Sequence, residues 1–150
     1  MARNVSLRIF GIRPYGKIIY DVNKRTGGYR LKYESVWYEQ ELRVRILDIL
    51  REFYNFPYDF KPISRPFRMG VFFCVRGRTH FDFTNLVKAV EDACNGLLFE
   101  DDSLRKGTCL PDGIMEGAPT DAILIRVEEM DAPLHLPVEN FEDAAVEVVA

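Results

Sequence analysis

Long apolar runs are missing from this chain: none approaches the roughly 20 residues that span a bilayer, so no membrane-crossing helix is expected. Met1 to Val5 lead straight into a strand-like alternation without the apolar core of a secretory signal, and a cytoplasmic location is expected. Cysteine is scarce. Cys74, Cys94 and Cys109 are odd in number, widely spaced and without a C-x-x-C pair, which argues against a disulfide framework. With only His80 and His135 beside them a zinc site is not expected either. Each cysteine sits among apolar residues and reads as a buried, reduced thiol. No Walker A, H-E-x-x-H or G-x-S-x-G pattern is present, so the sequence offers no P-loop, zincin or nucleophile-elbow chemistry. From Glu128 to Ala150 there is no Lys or Arg at all, against seven acids.

What is present suits one domain. The 150 residues are 47% hydrophobic and 29% charged, the balance of a globular protein, and a chain of this length buries about two-thirds of its unfolded surface. The net charge of −3 conceals a polarity. Residues 1–80 carry 16 Lys/Arg against 7 Asp/Glu, and residues 81–150 carry 4 against 16. Charges of +9 and −12 in the two halves point to a basic surface for a polyanion, with acids gathered at a site and in a tail. The plainer alternative is that the two signs interleave in the fold.

Residues 4–10 alternate as a strand. Lys17–Val22 and Tyr29–Tyr33 read as a hairpin turning through Gly27 and Gly28. Arg13, Lys17, Lys24, Arg25, Arg30 and Lys32 crowd this region, interleaved with Tyr15, Tyr20, Tyr29 and Tyr33, which suit either base stacking or cross-strand packing. Residues 35–54 make a helix with Ser35 as N-cap and Leu42, Ile46, Ile49, Leu50 and Phe53 recurring at three- and four-residue spacing. A proline-rich connection leads to a central strand, Phe67–Val75, then to the basic loop of Arg76 and Arg78. A second helix covers Thr84–Asn95, with Leu86, Ala89, Val90 and Ala93 inward and Asn85, Lys88 and Asp92 on another face. Asn95-Gly96 stops it. Residues 103–110 and 121–129 read as two further strands around a Gly/Pro turn, and the acidic end as a flexible tail. The expected fold is α+β: a mixed, largely antiparallel sheet with two main helices. It forms a single domain over residues 1–130, followed by an acidic tail at 131–150.

The segment Asp82 to Asp102 carries the candidate chemistry. A helix of twelve residues is about 18 Å long, and six extended steps from Gly96 cover about 20 Å. The chain can therefore run back along its helix and bring Asp101 and Asp102 toward Asp82. Carboxylates gathered this way repel unless a cation compensates. Mg2+ accepts one or two of them together with water and phosphate oxygens, with Mn2+ as a substitute. Lys88 is positioned to meet a scissile phosphate. Taken singly, the same residues have bland roles: Asp82 a helix cap, Lys88 and Asp92 a surface pair, Asp101-Asp102 a solvated turn.

Asp82, Asn85, Leu86, Lys88, Asp92, Ala93, Gly96, Asp101 and Asp102 resemble the D-x-D-N-L-x-K…D-A-L…G…D-D signature of the RusA family of Holliday junction resolvases. Looser similarity runs through residues 4–129 and leaves out the tail. The resemblance implies a homodimeric, Mg2+-dependent endonuclease acting on four-way DNA junctions without a small-molecule cofactor. By position, Asp82 and Asp102 match its catalytic, metal-holding aspartates, Lys88 its catalytic lysine, and Asp101 an assisting ligand. Thr84 stands where the family has a second aspartate, and a neutral hydroxyl is a weaker Mg2+ ligand. Arg76, Arg78, Lys17, Lys24, Arg25 and Arg30 are the expected DNA contacts. Two rivals remain: a junction-binding protein with catalysis lost through Thr84, and a regulatory or assembly protein whose carboxylates meet a basic partner.

Overall fold

Period-2 alternation in Asn4–Phe10 (β1) buries Val5, Leu7 and Ile9 and leaves Ser6, Arg8 and Phe10 on the opposite face. Along the chain follow Ile19–Val22 (β2), Tyr29–Leu31 (β3), Tyr33–Tyr54 (α1), Phe67–Val75 (β4) and Phe83–Cys94 (α2). A single 3-10 turn, Asp102–Leu104, precedes Arg105–Gly107 (β5), Gly113–Glu116 (β6) and Ala122–Glu129 (β7). These elements come from a computed structural model that describes residues 2–16, 19–22, 29–31 and 33–131, without the side chains of residues 17–33.

The fold is α+β, with one five-stranded, mostly antiparallel sheet and two helices. β7 lies between β1 and β4 and is antiparallel to both, while β5 and β6 both pair in parallel with the far edge of β4. The interior position of β4 explains its apolar run, since neighbours and helices leave Phe67, Met69, Val71, Phe73 and Val75 essentially no solvent. β2 and β3 form a separate two-stranded ribbon. Leu42, Ile46 and Leu50, four residues apart on α1, share one core cluster with Leu86, Val90 and Ala93 of α2 and with Leu7, Ile123 and Ile125 of the sheet. Each of these leucine, isoleucine and valine side chains, fully buried, contributes about 1.5–3 kcal/mol. No described helix is long and apolar enough to cross a membrane.

Several local expectations change. α1 starts at Tyr33, so Ser35 lies inside its first turn, buried, and is not the N-cap. The strand expected over residues 103–110 is the 3-10 turn followed by only three residues of β5. Beyond it, residues 108–112 pass over β4 at Gly70, where a Cβ would come within 2.3 Å of the Cys109 carbonyl oxygen. The supposed turn then contains β6, a strand the alternation does not reveal because its four residues are only partly covered. The strand expected over residues 121–129 is β7, Ala122–Glu129. The tail from residue 132, the hairpin turn at 23–28, and Lys17, Lys24 and Arg25 lie outside the described residues. Cys94 is buried as expected, while Cys74 and Cys109 are half-exposed.

Candidate active site and nucleic-acid interface

α2 begins where Asp82, in extended conformation, accepts a hydrogen bond from the Asn85 N–H at 2.8 Å. That caps a helix end whose free N–H groups favour negative charge. The approach to Asp82 is set by aromatic packing. Phe81 lies 4.8 Å from the Tyr15 ring, which in turn lies 5.5 Å from Tyr38 of α1. Gly16 is required beneath Phe81, because a Cβ there would come within 2.2 Å of the ring. Tyr15 is thus engaged inside the fold. The side chains of Tyr20, Tyr29 and Tyr33 are outside the described set.

The C-terminus of α2 is held from α1, with the Arg43 guanidinium donating to the carbonyls of Ala93 at 3.1 Å and Asn95 at 2.6 Å. These are the acceptors a helix end leaves unpaired. Gly96, at φ +78°, then reverses the chain. The return is not an extended run. Leu97 and Leu98 donate back to the Cys94 carbonyl and Gly96 to that of Phe99, and Phe99 stacks on Phe67 at 4.6 Å. This turn consumes chain length. Asp102 comes alongside Lys88, which lies six residues after Asp82, or about 9 Å of helix rise.

Lys88 is the hub. Its Nζ lies 3.3 Å from Asp92 Oδ1, one turn along the helix, and 3.3 Å from Asp102 Oδ2. Desolvation works to lower the Lys88 pKa, but the Asp92 charge and the hydrogen bonds to Asp102 and Asp92 outweigh it and hold the ammonium above its ordinary range. Glu91 lies beside this group and pairs with Arg105 at 3.7 Å. Burial pushes the Glu91 carboxyl up. Arg105 opposes that, and the nearby charges of Asp102 and Asp92 add to it. Asp101 caps the 3-10 turn by accepting from the Ser103 hydroxyl and N–H, and those bonds hold its carboxyl below the usual value. Thr84 is exposed in the first turn of α2.

Lys88 and Asp102, fourteen residues apart, are therefore in contact, with Asp92 as a third member. Asp82 is engaged locally as the cap, and Asp101 is engaged by Ser103. Among the described residues no three His, Cys, Asp or Glu side chains form a metal-holding cluster. The donors still suit Mg2+, which takes one or two carboxylates and completes its shell with water and phosphate oxygens. Any such ion would share Asp102 with the Lys88 ammonium. Sequence reasoning missed Glu91 and Arg105. Glu91 was within reach, because a residue three positions after Lys88 shares its face of the helix. Arg105 had no local signal.

The second charged region is the loop after β4. Arg76 and Arg78 are both exposed. Arg13, not singled out as a site residue, donates from Nη1 to the Arg76 carbonyl at 2.9 Å and from Nη2 to the Arg78 carbonyl at 2.8 Å. Arg30 lies in β3 with its side chain outside the described set.

No protein-family model matches the chain, and no curated protein matches it.

Proposed function

We propose that the chain is a Mg2+-dependent, structure-selective DNA endonuclease of the RusA type, resolving four-way junctions by phosphodiester hydrolysis. The observation that carries this reading is the 3.3 Å contact between Lys88 Nζ and Asp102 Oδ2, which unites two distant parts of the signature. A surface i,i+4 pair alone gives no reason for a second carboxylate from another element to meet the same lysine.

In this mechanism Asp82 and Asp102 would hold the metal, with Asp101 assisting. Bound Mg2+ supplies Lewis-acid polarisation of phosphate and water. Lys88 remains an ammonium through the neutral range, because its pKa is raised. A bound phosphate would give it a third anionic partner, and it would neutralise charge developing there in the transition state. Asp92 holds Lys88 in line from within the same helix. Arg76 and Arg78 would grip the DNA backbone from the loop leading to Asp82, and Lys17, Lys24, Arg25 and Arg30 would extend the footprint. The working form is a cytoplasmic homodimer, whose two-fold symmetry matches that of a four-way junction.

A second reading has its own support. With Thr84 in place of a carboxylate and no three-acid cluster among the described residues, the chain would bind junctions and cut them poorly. One assay separates the two: purified protein with labelled four-way junction or linear duplex, in Mg2+ or EDTA, scored for both shift and nicking. The nuclease reading expects junction nicking that needs Mg2+ and is abolished by Asp82→Asn and Lys88→Ala while the fold persists. Shifted but uncut junction supports the binding protein. Cutting that survives Asp82→Asn defeats the assignment of roles.

A further inference from the structure

Several backbone polar groups of the loop after β4 meet fixed partners within the fold. The Arg76 N–H donates to Asp121 Oδ1 at 2.8 Å, and the Thr79 N–H to Glu116 Oε2 at 2.9 Å. The Gly77 carbonyl accepts from the Gly117 N–H at 2.9 Å. The carbonyls on either side of it, those of Arg76 and Arg78, are bridged by the two arms of one guanidinium, that of Arg13. Gly77, at φ +73°, makes the bend between them possible. With two N–H groups and three carbonyls between Arg76 and Thr79 engaged in this way, the side chains of Arg76 and Arg78 are left exposed on a braced backbone.

We infer that Arg13 is the positioning residue of a preorganised phosphate-gripping loop. It acts on nucleic acid through Arg76 and Arg78 and not by touching the phosphate itself. The inference deepens the nuclease reading and rests on it. Three observations favour positioning over direct contact. Both terminal nitrogens of Arg13 are already donating to carbonyls. Its charge is partly offset by Asp121, whose Oδ1 lies 3.5 Å from Nη1. And a planar fork can span two carbonyls from residues two apart, as a lysine's single ammonium cannot. Ordering the loop in the free protein removes a cost that binding would otherwise carry.

The test is junction affinity in EDTA against salt concentration, using a synthetic labelled four-way junction and the full chain. Each lost phosphate contact lowers the logarithmic salt slope by about 0.9. The Arg76→Ala/Arg78→Ala double variant is expected to lower it by about 1.8, with affinity at 0.1 M salt falling about tenfold or more. Arg13→Ala is expected to reproduce most of that loss alone and to add less than about twofold on top of the double variant, since residues acting as one unit are not additive. Arg13→Lys, which retains the charge but loses the fork, is expected to behave like Arg13→Ala. Thermal melting of each variant separates loop disorder from global unfolding.

A further slope decrease of about 0.9 when Arg13→Ala is added to the double variant would show direct phosphate contact and overturn the inference. Full affinity in Arg13→Lys would do the same. Either result leaves the nuclease reading standing, whereas a wild-type chain indifferent to junction DNA overturns both.

Discussion

Two carboxylate–cation networks in this molecule are built from the same residue types and differ in which sign is in excess. At the end of β7, Glu129 is a single carboxylate with a side chain only 4% exposed, shared by two arginines. Arg3 donates to it through its backbone N–H at 3.0 Å, Nε at 3.1 Å and Nη2 at 3.0 Å, and lies over the Phe60 ring at 5.1 Å. Around Lys88, a single ammonium with a side chain 47% exposed is shared by two aspartates. The first arrangement uses up its acceptors beneath two covering guanidiniums and ties the strand to residue 3. The second keeps excess negative charge within reach of solvent. An excess of donors around one buried carboxylate suits a structural clamp, and an excess of partly exposed acceptors around one ammonium suits capture of a cation.

The sharpest way to break this contrast is Asp102→Asn. Junction nicking is expected to fall by about 10²–10³-fold, the usual cost of one electrostatic group in a transition state. The melting temperature should hardly change, because a partly exposed pair contributes under about 1 kcal/mol. A large loss of stability would move Lys88 and Asp102 into the structural class. Glu129→Ala is expected to do the reverse, costing about 2–3 kcal/mol in denaturant unfolding while nicking per folded molecule stays unchanged.

Acid titration comes next in size. Burial pushes the Glu129 carboxyl up, but the Arg3 N–H, the Arg3 guanidinium and the Arg65 charge overcome it and hold the pKa below 4.5. Its stabilisation is complete above the unfolded value and is lost as pH falls through the lower folded value. Urea unfolding at stepped pH should therefore show an acid limb that Glu129→Gln flattens. Lys88 runs the other way: its raised pKa keeps its contribution intact below 10.5 and removes it only above. The smallest effect is expected from Thr84→Asp, which adds a carboxylate to the first turn of α2 and should raise nicking at limiting Mg2+. A lower rate there would mean that position 84 does not face the metal.

Legibility varied with how local the cause was. The apolar residues of α2 at 86, 89, 90 and 93 are buried as their spacing demands, and the uninterrupted run of β4 is an interior strand. Asp82 caps α2 for reasons contained within four residues. Residues 103–116 were misread because their pairing is decided by the far edge of β4 and by the missing side chain at Gly70, neither of which leaves a periodic trace. Ser35 suited an N-cap by type, but the helix continues two residues further toward the N-terminus and buries it. The roles of Arg13 and Arg105 leave no trace in the sequence for a simpler reason. Their partners lie in other elements, and no local pattern links a guanidinium to a carbonyl 63 residues away.

Period, capping chemistry and turn glycines act over a few residues, so the two helices, the strands β1, β4 and β7, their inward faces and the acidic segment were set by the amino-acid order alone. Contacts between elements required the folded chain: which aspartates meet Lys88, how far the turn after Cys94 lets Asp102 return, and which arginine braces the loop at Arg76. Those depend on where a packed core leaves two distant backbones, and a side chain of fixed reach then finds a partner or does not.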